Sequence, residues 1–236
     1  MLLRNQFSEY WNNPIAKRRL LLIGILCFAF LLRYLSFLLE FTITRDGITY
    51  LDWATKCFDS ATFSAGWATI QRNTPPFFIY LIVLLMKCGF SAEVAGSAIS
   101  LVFNLGAIWV IWEIALKLFS SVEAAFIAAI LLAVHPTFIH FAFQPLRESA
   151  SFFWVGISFY FLCTAYRKGS FLSWALGGAA TALSILFRYE ACELIFLFSL
   201  VAGIHFIKGN RRQKIQSAEA LGCYLLIALT VILLIN

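Results

Sequence analysis

"LLLIGILCFAFLLRYLSFLLEFTITRDGITYLDWA", residues 20–54, joins a long apolar run to a segment of quite different character. A helix over Leu20–Leu39, rising about 1.5 Å per residue, would cover the roughly 30 Å of hydrocarbon in a bilayer. Directly after it come an arginine and two carboxylates, Arg45, Asp46 and Asp52, among aromatic side chains. The stretch therefore predicts a membrane span followed by a polar segment at the bilayer surface.

The composition of the whole chain agrees with a membrane protein. Of its 236 residues, 61% are hydrophobic and 13% charged, whereas soluble domains carry about 25% charged residues. The six cysteines form no CxxC pair, and several lie inside apolar runs. A zinc site or a dense disulfide framework is therefore not expected.

The apolar runs predict an all-α polytopic fold with seven transmembrane helices in one module over residues 1–236. Pro75–Met86 is also apolar, but it is too short to span, so we predict a re-entrant or interfacial helix there. The loop of about residues 40–90 is expected to form amphipathic juxtamembrane helices. The seven predicted spans are Leu20–Leu39, Val94–Leu116, Ala124–His140, Ala150–Tyr166, Phe171–Phe187, Ala191–Ile207 and Ala218–Ile235.

The basic residues predict the orientation of these spans. With seven spans and a cytoplasmic N-terminus, every Lys/Arg cluster at a span end falls on the cytoplasmic side, as the positive-inside rule requires. The net charge of +6 therefore reports topology rather than a nucleic-acid partner. Eight of the twelve carboxylates fall at or near the opposite face: Glu40, Asp46, Asp52, Asp59, Glu93, Glu148, Glu190 and Glu193.

Four charged clusters converge on that outer face, and each also has a purely structural explanation. In the first, Asp46 is either an N-cap of a helix from Gly47 to Cys57 or a general base or metal ligand. Asp52 is expected to be solvated. In the second, "QRNTPPFF" (71–78), the prolines begin a helix, and Arg72 beside its N-terminus makes a natural anion site.

The third cluster is "HPTFIHFAFQPLRES", residues 135–149, where His135 and the proline after it interrupt the third span. Arg147 and Glu148 are either an ordinary salt bridge at a helix end or part of a site. The fourth is "FRYEACE", residues 187–193, in which Arg188 is close enough in sequence to pair with Glu190. Snorkelling of these side chains to the interface is the alternative there.

The order of these features resembles the GT-C membrane glycosyltransferases, especially the branch of protein O-mannosyltransferases and aminoarabinose lipid A transferases. The resemblance rests on the basic stub, the Arg-Asp loop with Tyr50 to Ala54, the proline pair, the "HP" break and the acid that follows it. It covers roughly residues 15–210. Because such enzymes are usually longer, the chain is expected to be a fragment or a minimal version of the module.

The resemblance implies transfer of a sugar from a polyprenyl-phosphate or diphosphate carrier to an acceptor on the extracytoplasmic side of the plasma membrane. Asp46 matches the first-loop acid of the family, a base or metal ligand, and Glu148 matches the second acid. If the reaction uses a divalent cation, these two residues are its expected ligands. No other cofactor is predicted, and neither the sugar nor the acceptor follows from the sequence.

The donor's phosphate must meet cations at the headgroup level, and its prenyl chain must lie along apolar helices among the membrane lipids. The resemblance sets Arg72 near the donor phosphate, and Arg147 and Arg188 are further cations for the leaving group. The remaining predicted substrate contacts are Tyr50, Glu190 and His135. Two other functions fit the same pattern: a transporter or flippase whose outer charges gate a pathway, and a non-catalytic scaffold subunit.

Overall fold

Helices make up all the regular secondary structure in the described part of the chain. The computed structural model describes residues 14–40, 42–70, 75–168 and 170–208, and a few positions beyond them (218, 221–222, 224–226 and 230). Arg72 and most of the predicted span Ala218–Ile235 lie outside the described residues. The predicted all-α fold is confirmed for the residues inside these ranges.

Three helices are long and apolar enough to cross a membrane. They are α1 (Pro14–Glu40), α5 (Ala92–Phe119) and α8 (Glu148–Lys168), and they coincide with the first, second and fourth predicted spans. The predicted number of seven transmembrane helices is not confirmed, because within the described residues only these three meet both criteria.

The third predicted span, Ala124–His140, is not one helix. Helix α6 (Val122–Ala133) ends before His135, and a short α7 (Pro136–His140) begins after the break. Proline has no N–H to donate and disfavours helical backbone in the residue before it, which accounts for the break. The next two predicted spans are formed by α9 (Phe171–Phe187) and by α10 (Glu193–Lys208), which follows a 3₁₀ turn, Tyr189–Cys192.

The described residues between α1 and α5 form three helices where juxtamembrane helices were predicted: α2 (Arg45–Asp59), α3 (Phe63–Ala68) and α4 (Phe77–Lys87). One face of α2 is buried against α4, and Tyr50 packs edge-on against Phe78 with ring centroids 6.0 Å apart. Asp52 is exposed and bonded to Lys56, as expected of a solvated carboxylate.

Helix α8 is the centre of the described bundle, since it packs against both α5 and α9. Close approach is achieved where glycine meets a bulky side chain: a Cβ at Gly156 would lie 2.8 Å from Val110 of α5. This packing brings the start of α8 to the end of the bundle where α1 ends and α2 and α5 begin.

Candidate active site

Helix α2 presents Asp46 and Tyr50 one turn apart at this end of the bundle. The helix is capped by Thr44, whose hydroxyl accepts a hydrogen bond from the Gly47 N–H at 3.3 Å. The capping explanation for Asp46 is therefore wrong. Asp46 lies exposed in the first turn, where a carboxylate also favours the positive end of the helix dipole.

The segment 141–147, which leads into α8, ties α2 to the bundle. The side-chain amide of Gln144 is buried and clamps the backbone before α2: its Nε2 donates to Thr42 O at 2.6 Å, and its Oε1 accepts from Thr44 N at 2.9 Å. The Pro145 ring packs against two glycines, Gly47 of α2 and Gly96 of α5. A Cβ added at Gly47 would lie 3.0 Å from this ring, and one added at Gly96 would lie 2.7 Å from it. The start of α2 and the start of α8 therefore occupy fixed positions relative to each other.

Helix α5 holds the same segment from its other side. The Ser97 hydroxyl donates to Phe143 O at 2.8 Å, and the buried Ser100 hydroxyl donates to Leu146 O at 3.1 Å. Leu146 N in turn donates to Ser100 Oγ at 3.3 Å. These bonds occupy backbone groups that have no helical partner, so the residues directly before Glu148 are rigidly supported.

Arg188, at the end of α9, pairs with two carboxylates from different segments. Its Nη1 donates to Glu148 Oε1 at 3.3 Å, while its Nη2 and Nε donate to the two oxygens of Glu190 at 3.1 and 3.4 Å. The hydrogen bonds from Arg188 lower the pKa of Glu190 to about 2. The predicted pairing of Arg188 with Glu190 is confirmed, and Glu148 joins the same network.

Arg147 does not form the simple salt bridge with Glu148 that a helix end would suggest. Its guanidinium carbon lies 5.8 Å from the centroid of the Tyr50 ring. Arg147 Nε and Glu148 Oε2 are both buried, and neither has a hydrogen-bond partner in the described structure. A buried charged atom without a partner costs roughly 1–3 kcal/mol or more. Two such atoms on neighbouring residues therefore mark a place that a polar ligand would stabilise.

The phenol of Tyr50 lies near these charged groups. Burial is the main cause that raises its pKa, and Glu148 and Asp46 raise it further, whereas Arg147 and Arg188 oppose them. Among the predicted residues, Glu148, Arg188 and Glu190 form one ion-pair network. Arg147 lies over the Tyr50 ring, and Asp46 is one helical turn from Tyr50 on α2.

Two cavities adjoin the start of α8. One, of about 250 Å³, is lined by Glu148 and Arg188. The other, of about 570 Å³, is almost wholly apolar and lies between α5, α8 and the broken helix α6–α7. Phe152 and Val155 line both, so the charged cavity and the apolar cavity adjoin along α8. The charged lining of the smaller cavity also includes Glu190 and Glu193, so among the described residues Arg188 is its one cationic group and the place where an anionic headgroup would bind. A hydrocarbon chain would find a complementary surface in the larger, apolar cavity.

His135 lies on the apolar cavity and not in the ion-pair network, and Arg72 is outside the described residues. Within the described ranges, no three His, Cys, Asp or Glu side chains are grouped closely enough to hold a metal ion. Gln144 and Ser100, which support the site, were not predicted from the sequence. Polar side chains in otherwise apolar segments were the signal that would have found both.

A profile of the dolichyl-phosphate-mannose-protein mannosyltransferase family matches residues 73–235, more than half of the chain. Arg147, Glu148 and Arg188 lie inside the matched region, whereas Asp46 and Tyr50 precede it. No curated protein matches the chain.

Proposed function

Since the chain belongs to the dolichyl-phosphate-mannose-protein mannosyltransferase family, we propose that it moves a sugar from a polyprenyl-phosphate carrier to an extracytoplasmic acceptor. Membership in this family makes it an integral membrane glycosyltransferase with a lipid-linked donor.

The pair of buried, unpartnered atoms at the start of α8 carries this proposal. Arg147 Nε is a donor that lacks an acceptor, and Glu148 Oε2 is an acceptor that lacks a donor. A sugar phosphate supplies both missing groups: its phosphate oxygens accept hydrogen bonds and its hydroxyls donate them. Charge-assisted bonds of this kind are about twice as strong as neutral ones.

In the proposed reaction the acceptor's hydroxyl oxygen attacks the anomeric carbon of the donor sugar. The bond between that carbon and the phosphate oxygen breaks, and the lipid phosphate leaves with the bonding electrons. Arg147 and Arg188 stabilise the charge on this leaving group, and Arg72 is a third candidate. Direct displacement on the face opposite the phosphate inverts the configuration at that carbon.

Asp46 is the proposed general base, which takes the acceptor's proton as the new bond forms. Its exposure suits this role, because the acceptor arrives from outside the bundle. Glu148 is half-buried and held by Arg188, so it is proposed to bind a sugar hydroxyl through its second oxygen. Tyr50 and Glu190 complete the substrate contacts, and a divalent cation would take Asp46 and Glu148 as ligands.

The lipid chain of the donor is proposed to lie in the apolar cavity beside α8. Phe152 and Val155 line that cavity and also the charged one, so the two cavities lie next to each other along α8. His135 lies on the same cavity and is the proposed polar contact there. The chain would then remain in the plane of the membrane during transfer.

Two matched carboxylate variants test the proposal. Wild type, Asp46→Asn and Asp52→Asn are reconstituted in liposomes with radiolabelled polyprenyl-phosphate mannose and an extract of acceptors, and transferred label is counted. Loss of a general base typically costs a factor of about 100 to 10,000, so Asp46→Asn should lose at least about 100-fold in rate. Asp52 is an exposed carboxylate on the same helix, paired with Lys56, and its variant should stay within about twofold.

Full activity of Asp46→Asn would show that Asp46 is not the general base. Donor binding by wild type without any transfer would instead favour a non-catalytic scaffold. In the same assay, a chelator that stops transfer, with recovery on added Mg²⁺ or Mn²⁺, would support the divalent cation. An unchanged rate in the chelator would exclude it.

A further inference from the structure

Arg33 lies inside the first membrane-spanning helix and is completely buried. Its Nε donates to Asn104 Oδ1 of α5 at 2.6 Å, and its Nη1 donates to two backbone carbonyls, Ala29 O at 2.9 Å and Ala133 O at 3.0 Å. A charge at this depth is costly unless it is paired or hydrogen-bonded, and such residues often have a function. Neither the ion-pair network nor the proposed reaction uses Arg33.

The contact with Ala133 places the guanidinium at the break in the third predicted span. Ala133 is the last residue of α6, so its carbonyl has no helical partner and carries part of the negative end of the helix dipole. Arg33 supplies both a donor and a positive charge there. Irregular backbone at membrane depth is tolerated only where its polar groups are satisfied by the protein or by water.

Asn104 extends the connection from Arg33 toward the site. Its Nδ2 donates to Phe138 O of α7 at 2.9 Å and to Ser149 Oγ at 3.4 Å, and the Ser149 hydroxyl donates to Phe141 O at 3.3 Å. Arg33, Asn104 and Ser149 all have no exposed surface. Ser149 directly follows Glu148, so this chain of hydrogen bonds leads from α1 to the first turn of α8.

We propose that Arg33 and Asn104 are positioning residues, which set the location of Glu148 without touching substrate. An amide is required at position 104, because its oxygen accepts from Arg33 while its nitrogen donates to α7 and α8. Arg33 fixes which way the amide points, since only the oxygen can face the guanidinium. This inference rests on the proposed function for the identity of the reaction that Glu148 serves.

Asn104→Asp separates positioning from simple stabilisation. A carboxylate keeps the shape of the side chain and keeps the bond from Arg33, now as an ion pair. It has no N–H for Phe138 O or Ser149 Oγ, so the link to α7 and α8 is lost. Ser158→Ala is the matched control: it removes a buried hydroxyl of α8 that bonds to Gly177 O, away from this chain of bonds.

Asn104→Asp should cost more activity than its loss of stability explains. In the liposome transfer assay it should lower kcat at least tenfold, with KM for the donor near the wild-type value, and it should also lower the thermal midpoint because Phe138 O loses its donor. Ser158→Ala should lower the midpoint too, since it removes a buried hydrogen bond, but it should keep kcat within twofold. Wild-type kcat in Asn104→Asp, or a tenfold loss of kcat in Ser158→Ala as well, would overturn the proposal.

Hydrogen–deuterium exchange gives a readout that needs no activity. Asn104→Asp should speed amide exchange in residues 138–150 and leave α9 unchanged; unchanged exchange in both segments would overturn the positioning role. If the wild-type protein transfers no sugar from any donor tested, the proposed function fails on its own. The exchange result then still decides whether Asn104 holds the start of α8.

Discussion

The two carboxylate oxygens of Glu148 have different surroundings, and this asymmetry bears most on function. Oε1 meets Arg188 at 3.3 Å, whereas Oε2 is buried with no described partner. From the sequence, Glu148 was a candidate catalytic acid through the family resemblance, but its contact with Arg188 was not predicted. Its pairing across 40 residues of chain depends on how α8 and α9 pack, and residue spacing carries no information on that.

The pairing of Arg188 with Glu190 makes a prediction about pH. The folded-state pKa of Glu190, about 2, lies below the value of about 4.3 for a free glutamate. The pair therefore adds stability above about pH 4.3 and loses it as pH falls toward 2. Glu190 is 60% exposed, so solvent screening limits its contribution to about 0.2–1 kcal/mol.

We expect Glu190→Gln to lower the thermal midpoint by about 1–4 °C between pH 5 and 7, and the difference to vanish toward pH 2. Glu193→Gln is the control, since Glu193 is exposed and forms no ion pair within the described structure. The measurement is the thermal midpoint of detergent-solubilised wild type, Glu190→Gln and Glu193→Gln at each pH across this range. A Glu190→Gln deficit that does not change with pH would contradict the prediction.

Among the elements, hydropathy predicted the long helices, whereas the interruption of the third span was predicted by the proline after His135 and is confirmed. α1, α5 and α8 are long apolar runs, and their length alone indicates a helix that spans. The third run was equally apolar, but its backbone breaks at His135, and the polar groups freed there are satisfied by Arg33 and Asn104. An arginine within an apolar run was the signal for that arrangement, although its partners depend on tertiary packing.

The segment 141–147 makes a prediction of its own, through the glycine against which Pro145 packs. A Cβ at Gly96 would lie 2.7 Å from Pro145 Cβ, closer than real contacts allow. Gly96→Ala should therefore displace the segment, lower the thermal midpoint and reduce transfer. Overpacking of this kind costs about 1–3 kcal/mol, more than the roughly 1 kcal/mol by which alanine favours a helix over glycine.

Gly24→Ala is the matched control for that variant. Gly24 is also a glycine of a long membrane helix, but a Cβ there would meet no atom within 4 Å. Its midpoint should equal or exceed that of wild type. If Gly96→Ala and Gly24→Ala both have the thermal midpoint of wild type, close packing of Gly96 against Pro145 does not stabilise the segment 141–147.

For the whole molecule, the proposed orientation follows from which segments share an end of the bundle. A helix of 28 residues such as α5 extends about 42 Å, so it separates the start of α5 and the adjoining start of α2 from the start of α6. Lys17 and Glu123 line one cavity, which sets the basic start of α1 beside the start of α6. The positive-inside rule then assigns that end to the cytoplasm.

Single cysteines test this orientation. In a variant whose native cysteines are replaced by serine, Ser64→Cys in α3 should react with a membrane-impermeant maleimide on intact cells. Glu123→Cys in α6 should react only after the membrane is permeabilised. Both positions are exposed, so a failure to react reports the side of the membrane rather than burial. Labelling of Glu123→Cys on intact cells would reverse the proposed topology.

The central claim is that Arg147, directly before α8, and Arg188, at the end of α9, bind the phosphate of a lipid-linked sugar. Its most direct test is the dissociation constant of polyprenyl phosphate for the protein in nanodiscs, measured for wild type, Arg147→Gln and Lys56→Gln. Both variants lose one positive charge, but Lys56 is exposed and bonded to Asp52. A hydrogen bond to a charged group contributes about 1.5–3 kcal/mol, so Arg147→Gln should weaken binding at least about tenfold and Lys56→Gln should leave it unchanged. Equal affinity in all three proteins would contradict the account.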